Sequence, residues 1–324
     1  IGILARIQPP EGKFMILLTG ATGFVGRSLV KVLLAEGREI GCLLRPSNRE
    51  PFLPQGKIHI ATGILQDAPA LRVAMQNVDT VINIAGTHRS KGQNTVESIN
   101  HFGTVNLVEA ALDAGIRRII YLSHMHADRN SAYPLLRSKG AAEEASRSSG
   151  INYTILRSSL IFGPDDSFTS ILAMLIKSIP VVFPVTGDGK TRFQPIFVDD
   201  LASCLAGCLD AHHLENRALP IGGPQHLSYT EILDAIMTRL GVHRVRIHIR
   251  RPLMRTLVGV TSSFFPHPPV SREQLDLFSV DNTTDLGNVP RNFRFEPRRF
   301  TENLGYLGRK GWRRAFLRYA YQGN

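Results

Sequence analysis

Cysteine is scarce in this chain: Cys42, Cys204 and Cys208 are the only three among 324 residues, with no metal-binding spacing and no paired framework. A disulfide-stapled or zinc-built domain is thereby excluded, and the usage fits a reducing, cytoplasmic setting. Cys204 and Cys208 stand one helical turn apart in an apolar stretch, which reads as core packing. Long apolar runs are missing as well. None reaches the roughly 18 residues that a bilayer-spanning helix needs, and residues 1–7 are apolar over too short a distance to read as a secretory leader. Met15 opens the first strand, so residues 1–14 are expected to be an upstream extension outside the fold. Acid is what the far end lacks. Residues 241–324 hold 15 Lys and Arg against 6 Asp and Glu, so nine of the eleven net positive charges fall in the last quarter. Uniform basicity would suggest nucleic acid, whereas one basic end suggests a local anionic surface.

The rest of the composition is ordinarily globular, and its patterning is regular. Residues 14–19 are a short continuous apolar run ending at Gly20, as a buried parallel strand requires. Phe24, Val25, Leu29, Val30, Leu33 and Leu34 then recur at helical intervals. The alternation continues with strands at 39–44 and 57–61, a helix at 67–76, a strand at 80–84, and a helix at 100–112. After these come a strand at 118–122, a helix at 134–148 and a strand at 153–156. Repeated βα units predict an α/β fold, a Rossmann-type doubly wound parallel sheet, because parallel strands need crossover helices on both faces. Residues 15–160 form that nucleotide-binding part in this reading. Residues 161–300 complete the sheet, around 194–198 and 218–221, and build a smaller C-terminal lobe. Residues 301–324 are a basic aromatic tail.

Gly20, Gly23 and Gly26 stand at three-residue spacing between the first strand and its helix. Such a turn serves a dinucleotide: one glycine makes the tight bend, one admits the pyrophosphate, and one lets helix pack on strand, with the anion at the helix N-terminus. Thr19, Gly20, Thr22, Gly23, Phe24, Val25 and Gly26 are the expected cradle. At the end of the second strand an NAD site usually presents a carboxylate to the ribose, whereas an Arg accommodates a 2′-phosphate. Here Arg45 stands there and no carboxylate occurs before Glu50, which favours NADP(H) over NAD(H).

These turns, together with Asn83-Ile84-Ala85-Gly86, Asn100-x-x-Gly103-Thr104, Leu156-Arg157-Ser158 with Ile161-Phe162-Gly163-Pro164, and Phe197-Val198-Asp199-Asp200, resemble extended or atypical short-chain dehydrogenase/reductases, of the epimerase/dehydratase-like kind. The likeness covers about residues 15–300. Two further stretches, 122–127 and 136–143, are similar to the NAD(P)H-binding accessory subunits of respiratory complex I of the alpha subcomplex subunit nine type, and to their bacterial relatives. The resemblance implies a bound NADP(H), Ala85, Gly86, Ser123, Lys139 and Ser158 beside it, and a structural or assembly role at a membrane redox complex. Gly63-Ile64 lacks the Asp that commonly meets the adenine, which leaves Asp67 or a backbone amide to do so.

Active members of that superfamily use a Tyr-x-x-x-Lys pair on one helical face, in which the Lys lowers the phenol pKa for proton transfer. Lys139 is present, but four residues earlier stands Leu135. Tyr133 precedes the helix, and His124 takes the usual Ser/Thr position, so Tyr133, Lys139 and His124 are the candidates for any surviving chemistry. Two readings stay open. One is a cofactor-holding accessory or assembly protein, peripheral to a membrane, attached to complex subunits or an anionic surface through residues 301–324. The alternative is a working NADP(H)-dependent oxidoreductase or epimerase on a small apolar substrate, roofed by Leu253, Leu257, Phe264 and Phe265. A redox sensor is a weaker third. No metal is expected, and nucleic acid is the least expected partner.

Overall fold

The computed structural model describes residues 15–47, 53–88, 90, 92–265, 267–278, 280–309 and 311–322. The expected extension, residues 1–14, lies outside them, as do Glu50 and Lys310, and the side chains of Phe264 and Arg313.

In chain order the elements are β1 (Met15–Thr19), α1 (Phe24–Ala35), β2 (Ile40–Leu44), β3 (Ile58–Thr62), α2 (Ala68–Ala74), β4 (Val78–Asn83), α3 (Gly103–Asp113), β5 (Arg118–His124), α4 (Pro134–Ser148) and β6 (Asn152–Ser158). Then follow β7 (Ile161–Phe162), α5 (Thr169–Ser178), β8 (Val182–Thr186), β9 (Arg192–Phe193), β10 (Ile196–Phe197), α6 (Val198–Gly207), β11 (Arg217–Ile221), β12 (Leu227–Ser228) and α7 (Tyr229–Leu240). The chain closes with β13 (Val245–Ile249), α8 (Arg251–Phe264), α9 (Arg272–Leu277), α10 (Asn288–Phe293) and α11 (Trp312–Gln322).

Seven strands form one sheet in the order β11-β6-β5-β4-β1-β2-β3, every pair parallel. The first strand is central and the order reverses beside it, between β1 and β4, which opens a crevice at the carboxyl ends of the strands. The continuous apolar runs of β1 and β5 are buried on both faces. Leu29, Val30 and Leu33 of α1 pack with Leu201, Cys204 and Leu205 of α6 on one side. Leu71 of α2 and Leu107 of α3 pack on the other. Cys204 and Cys208 are buried thiols in that core, and burial pushes Cys208 up to about 12.

Of the two stretches expected to rejoin the sheet, only 218–221 does so, as β11. Residues 194–198 do not. Ile196 and Phe197 pair with Ile161 and Phe162 in a separate two-stranded ladder, because Pro195 interrupts the run and the helix α6 starts at Val198. A second core gathers Phe162, Ile176, Phe183, Ile232, Ile236, Phe300 and Trp312 from β7, α5, β8, α7 and the C-terminal segment. In α7 the fit of sequence to structure is local. Ser228 and Glu231 form a reciprocal capping box, and Gly241, at φ 61°, ends the helix in the left-handed region.

Candidate nucleotide-binding site

The glycine turn lies at the crevice. Gly20 has φ +79°, and a methyl there would come within 2.8 Å of the Ala85 nitrogen. Gly26 is tighter still: its methyl would meet the Gly20 carbonyl oxygen at 2.1 Å and Ala21 backbone at 2.7 Å. Gly23, the N-cap of α1, donates to the Gly20 carbonyl at 3.0 Å. Thr22 and Gly23 are exposed, so the backbone N–H groups at the start of α1 are open to an anion. Phe24 and Val25 are half-buried; Val25 packs against both cores and Phe24 against the second. A dinucleotide pyrophosphate fits this cradle, because side chains are missing at the positions where the backbone must approach it.

Thr19 ties the turn to β4. Its hydroxyl donates to Asn83 Oδ1 at 2.7 Å and accepts from the Ala85 nitrogen at 3.4 Å, while Asn83 Nδ2 donates to Thr104 Oγ1 at 3.2 Å. Thr19 is 1% exposed, so it positions the turn from beneath and does not offer its hydroxyl to a ligand. Arg45 follows β2 directly. Since Thr19 sits opposite Leu43 in the ladder, the exposed Arg45 lies one strand over from the turn. Asp67, proposed for the adenine, is the N-cap of α2, and its Oδ1 accepts from the Ala70 nitrogen at 3.1 Å. Ile64 beside it is exposed, so the pattern change at this position leaves an apolar side chain at the rim.

At the other end of the crevice Lys139 is buried, and its Nζ donates to the Leu122 carbonyl at 2.8 Å and lies 4.8 Å from the centre of the Tyr121 ring. Gly86 makes room for it: a methyl there would stand 3.3 Å from Nζ and 3.1 Å from Asn100 Oδ1. Asn100 was recognised in the sequence only as part of a motif, yet it organises this corner. It accepts from the Thr87 nitrogen at 2.9 Å and donates to the Thr87 carbonyl at 3.0 Å and to Ser138 Oγ at 3.3 Å. It sits in a π-helical turn, Ser98–Phe102, that precedes α3, and the simple helical period expected from residue 100 could not reveal that.

Leu135 is buried one turn before Lys139, on its face of α4. Tyr133 is the N-cap, with extended ψ of 119°, and so stands outside the helix that carries Lys139. The dyad is therefore Leu and Lys. His124 ends β5, and its Nδ1 lies 2.7 Å from the Met125 carbonyl, an acceptor, so Nδ1 carries the hydrogen. Burial first, then Lys139 and His126, lower the His124 pKa to about 4, which keeps the ring neutral. A neutral ring with its only hydrogen committed to a carbonyl cannot supply a proton. Ser123 points to the face of β5 opposite His124, toward α4, where its hydroxyl donates to Glu143 Oε1 at 2.6 Å. Alternation along β5 explains this. Ser158 is buried and donates to the Ser159 carbonyl at 2.8 Å.

Burial lowers the Lys139 pKa to about 8, partly offset by Glu143. The folded value lies below the unfolded 10.5, so the unfolded chain binds more protons between pH 8 and 10.5 and stability from this group rises with pH there. It is absent below pH 8. In urea unfolding of the nucleotide-free protein, the stability of Lys139→Met relative to wild type is expected to be highest at pH 7 and to decline steadily to pH 10. A pH-independent difference would show that the amine is not held in a desolvating site.

The remaining expectations divide. Leu253 and Leu257 are exposed and roof no enclosed pocket, while Phe265 packs edge-on against Phe316 and Tyr321 of α11. Within the tail Trp312 is buried and donates to the Leu307 carbonyl at 3.0 Å, under the guanidinium of Arg309. No helix among the described residues is long and apolar enough to cross a membrane, and no cluster of metal-binding side chains occurs among them.

A parallel sheet with its first strand central, and a glycine turn opening the adjoining helix, define a Rossmann-type NAD(P)H-binding protein. The NAD(P)H-binding family matches residues 20–171. The chain is 31% identical to the ceramide reductase of Caulobacter vibrioides over 93% of its own length and 97% of that protein. It is 27% identical to the photosystem II assembly factor Ycf39 of Guillardia theta, covering 90% and 92%. With the mitochondrial NADH dehydrogenase (ubiquinone) 1 alpha subcomplex subunit 9 of Arabidopsis thaliana it shares 25%, covering 82% and 68%. Its fold matches the NADPH-complexed quinone oxidoreductase QOR2 of Escherichia coli at a TM-score of 0.75, with 20% identity over 91% and 100% of the two chains. The chain belongs to the NAD(P)H-binding, atypical short-chain dehydrogenase/reductase family, and it is related to the complex I subunit 9 and Ycf39 proteins.

Proposed function

We propose that this protein holds NADP(H) as an accessory or assembly factor of a membrane redox complex, and that the cofactor serves the fold and its partners without Tyr–Lys chemistry. One observation carries this: the nucleotide cradle is complete, while the dyad position one turn from Lys139 is filled by the buried Leu135. Two of the relatives, a complex I subunit and a photosystem II assembly factor, support it by their names. Arg45 supports NADP(H), since the β2 end offers a guanidinium to a 2′-phosphate and no carboxylate to a ribose among its described residues. NADPH is expected to bind at least tenfold more tightly than NADH, and Arg45→Ala to remove most of that preference, as read by fluorescence titration of both nucleotides. The role itself is tested by turnover: purified protein is expected to retain NADPH unoxidised in the presence of quinones and ketones, and to release it on unfolding.

A second reading is favoured by the end-to-end likeness to a ceramide reductase. In it the protein reduces a carbonyl on a long-chain lipid, with hydride supplied by the bound nicotinamide. Lys139, held near pKa 8, is then the proton donor to the carbonyl oxygen, because His124 is neutral and tied to Met125. NADPH consumption with a ketolipid in mixed micelles, lost in Lys139→Met, selects this reading over the first.

A further inference from the structure

We propose that α8 and α11 together form one surface that docks onto an anionic phospholipid bilayer, lying in its headgroup layer. The placement concerns the protein's own surface and does not depend on whether the cofactor turns over. The sequence supplies the first observation. From residue 235 to 272 there is no Asp or Glu but there are seven Arg, and from 303 to 324 there is none against five Lys and Arg. The structure brings these two acid-free stretches together. Phe265, which follows α8, meets Phe316 and Tyr321 of α11 at ring-centre distances of 5.9 and 5.8 Å, and the His267 nitrogen donates to the Ala320 carbonyl at 3.1 Å.

Each helix satisfies its inner face and leaves apolar groups on the outer one. In α8, Met254 and Val258 pack with Leu275 in a small satellite cluster. Leu253, Leu257 and Val260, at i, i+4 and i+7, are outside it. In α11, Trp312 and Ala320 are buried, while Arg314, Leu317, Arg318 and Tyr321 share the exposed side. The five outer apolar side chains, Leu253, Leu257, Val260, Leu317 and Tyr321, are between 43% and 63% exposed. Exposed apolar residues scattered singly need no explanation, but aligned on α8 and on α11, which Phe265 and His267 hold together just past the end of α8, they have with their arginines the pattern of interfacial helices. Arg250 and Arg251 stand exposed where α8 begins, beside Asp188 and His248, and Arg255 bridges to Asp276 at 3.1 Å. Among the described side chains of these two helices and the residue before α8, Arg250, Arg251, Arg314 and Arg318 remain as outward-facing positive groups. A bilayer complements both features at once, because acyl chains accept the leucines and phosphate headgroups accept the arginines. An acidic protein would have to carry a matching apolar patch beside its carboxylates to do the same.

The test uses the full chain and sedimentation with vesicles of phosphatidylcholine alone, or of phosphatidylcholine with 30% phosphatidylglycerol. Binding is expected only to the anionic vesicles and to weaken strongly between 0.1 and 0.5 M NaCl. Arg314→Glu with Arg318→Glu is expected to cut binding by 25-fold or more, at about fivefold per arginine. Leu253→Asp with Leu257→Asp should abolish it. NADPH binding and circular dichroism serve as fold controls for these exposed positions. Absence of binding to anionic vesicles, or equal binding by folded variants and wild type, overturns the proposal. Binding to an acidic partner protein without vesicle binding overturns it as well.

Discussion

Gly26→Ala is expected to weaken NADPH binding by at least tenfold and to lower the unfolding temperature. The added methyl meets the Gly20 carbonyl oxygen at 2.1 Å and Ala21 backbone at 2.7 Å, and neither can rotate aside as a side chain would. Accommodation requires α1 to slide away from the turn, which opens the cradle at Thr22 and Gly23. Overpacking of this kind costs about 1–3 kcal/mol, and 1.4 kcal/mol is already a factor of ten in affinity. Gly23→Ala is the comparison for stability alone, because its methyl finds nothing nearer than the Gly20 oxygen at 3.1 Å. Gly23 belongs to the cradle, so both variants are expected to bind NADPH more weakly by fluorescence titration, while Gly26→Ala shows the larger drop in unfolding temperature. Wild-type affinity in Gly26→Ala would falsify the assignment of this turn as the pyrophosphate site.

Which parts of this site were legible in the sequence follows from how locally each is determined. The turn and the apolar strands were legible because their determinants are contiguous: β1 is a single run, and the three glycines are consecutive constraints on one bend. The Leu135–Lys139 relation was legible for the same reason, as a spacing on one helix. The corner around Asn100 was not, since it depends on a π-helical turn placing its amide against Thr87 and Ser138, thirteen and thirty-eight residues away. The two-residue strands β7, β9, β10 and β12 were invisible to periodicity, because two residues have no period. The 194–198 stretch was accordingly assigned to the wrong sheet. Leu253 and Leu257 read as a pocket roof in the sequence, and only packing showed that they lie on the outside of a helix whose inner face is satisfied by Met254 and Val258.

The largest stability effect is expected at Glu143, a residue the chemistry of the crevice does not use. Its carboxylate is 3% exposed and receives Ser123 at 2.6 Å, Arg157 through Nε at 2.9 Å and Nη2 at 2.6 Å, and Arg147 at 3.0 Å. It clamps the ends of β5 and β6 to α4, the helix that carries Lys139 one turn earlier. Removing it leaves a buried hydroxyl and two guanidinium groups without their acceptor, and breaking such a pair costs about 3–5 kcal/mol. Both arginines are about a third exposed and can turn partly to water, so Glu143→Ala is expected near the lower end, about 3 kcal/mol in urea unfolding. Arg147→Ala leaves the stronger Arg157 fork intact and should cost less than about 1 kcal/mol. Because Glu143 also holds the Lys139 pKa up against burial, its loss drives Lys139 further toward the neutral amine. The decline in the stability advantage of Lys139→Met with rising pH should therefore begin at lower pH in the Glu143→Ala background than in wild type. Equal stability losses from Glu143→Ala and Arg147→Ala, with no change in that pH dependence, would show that the carboxylate is not the centre of the clamp.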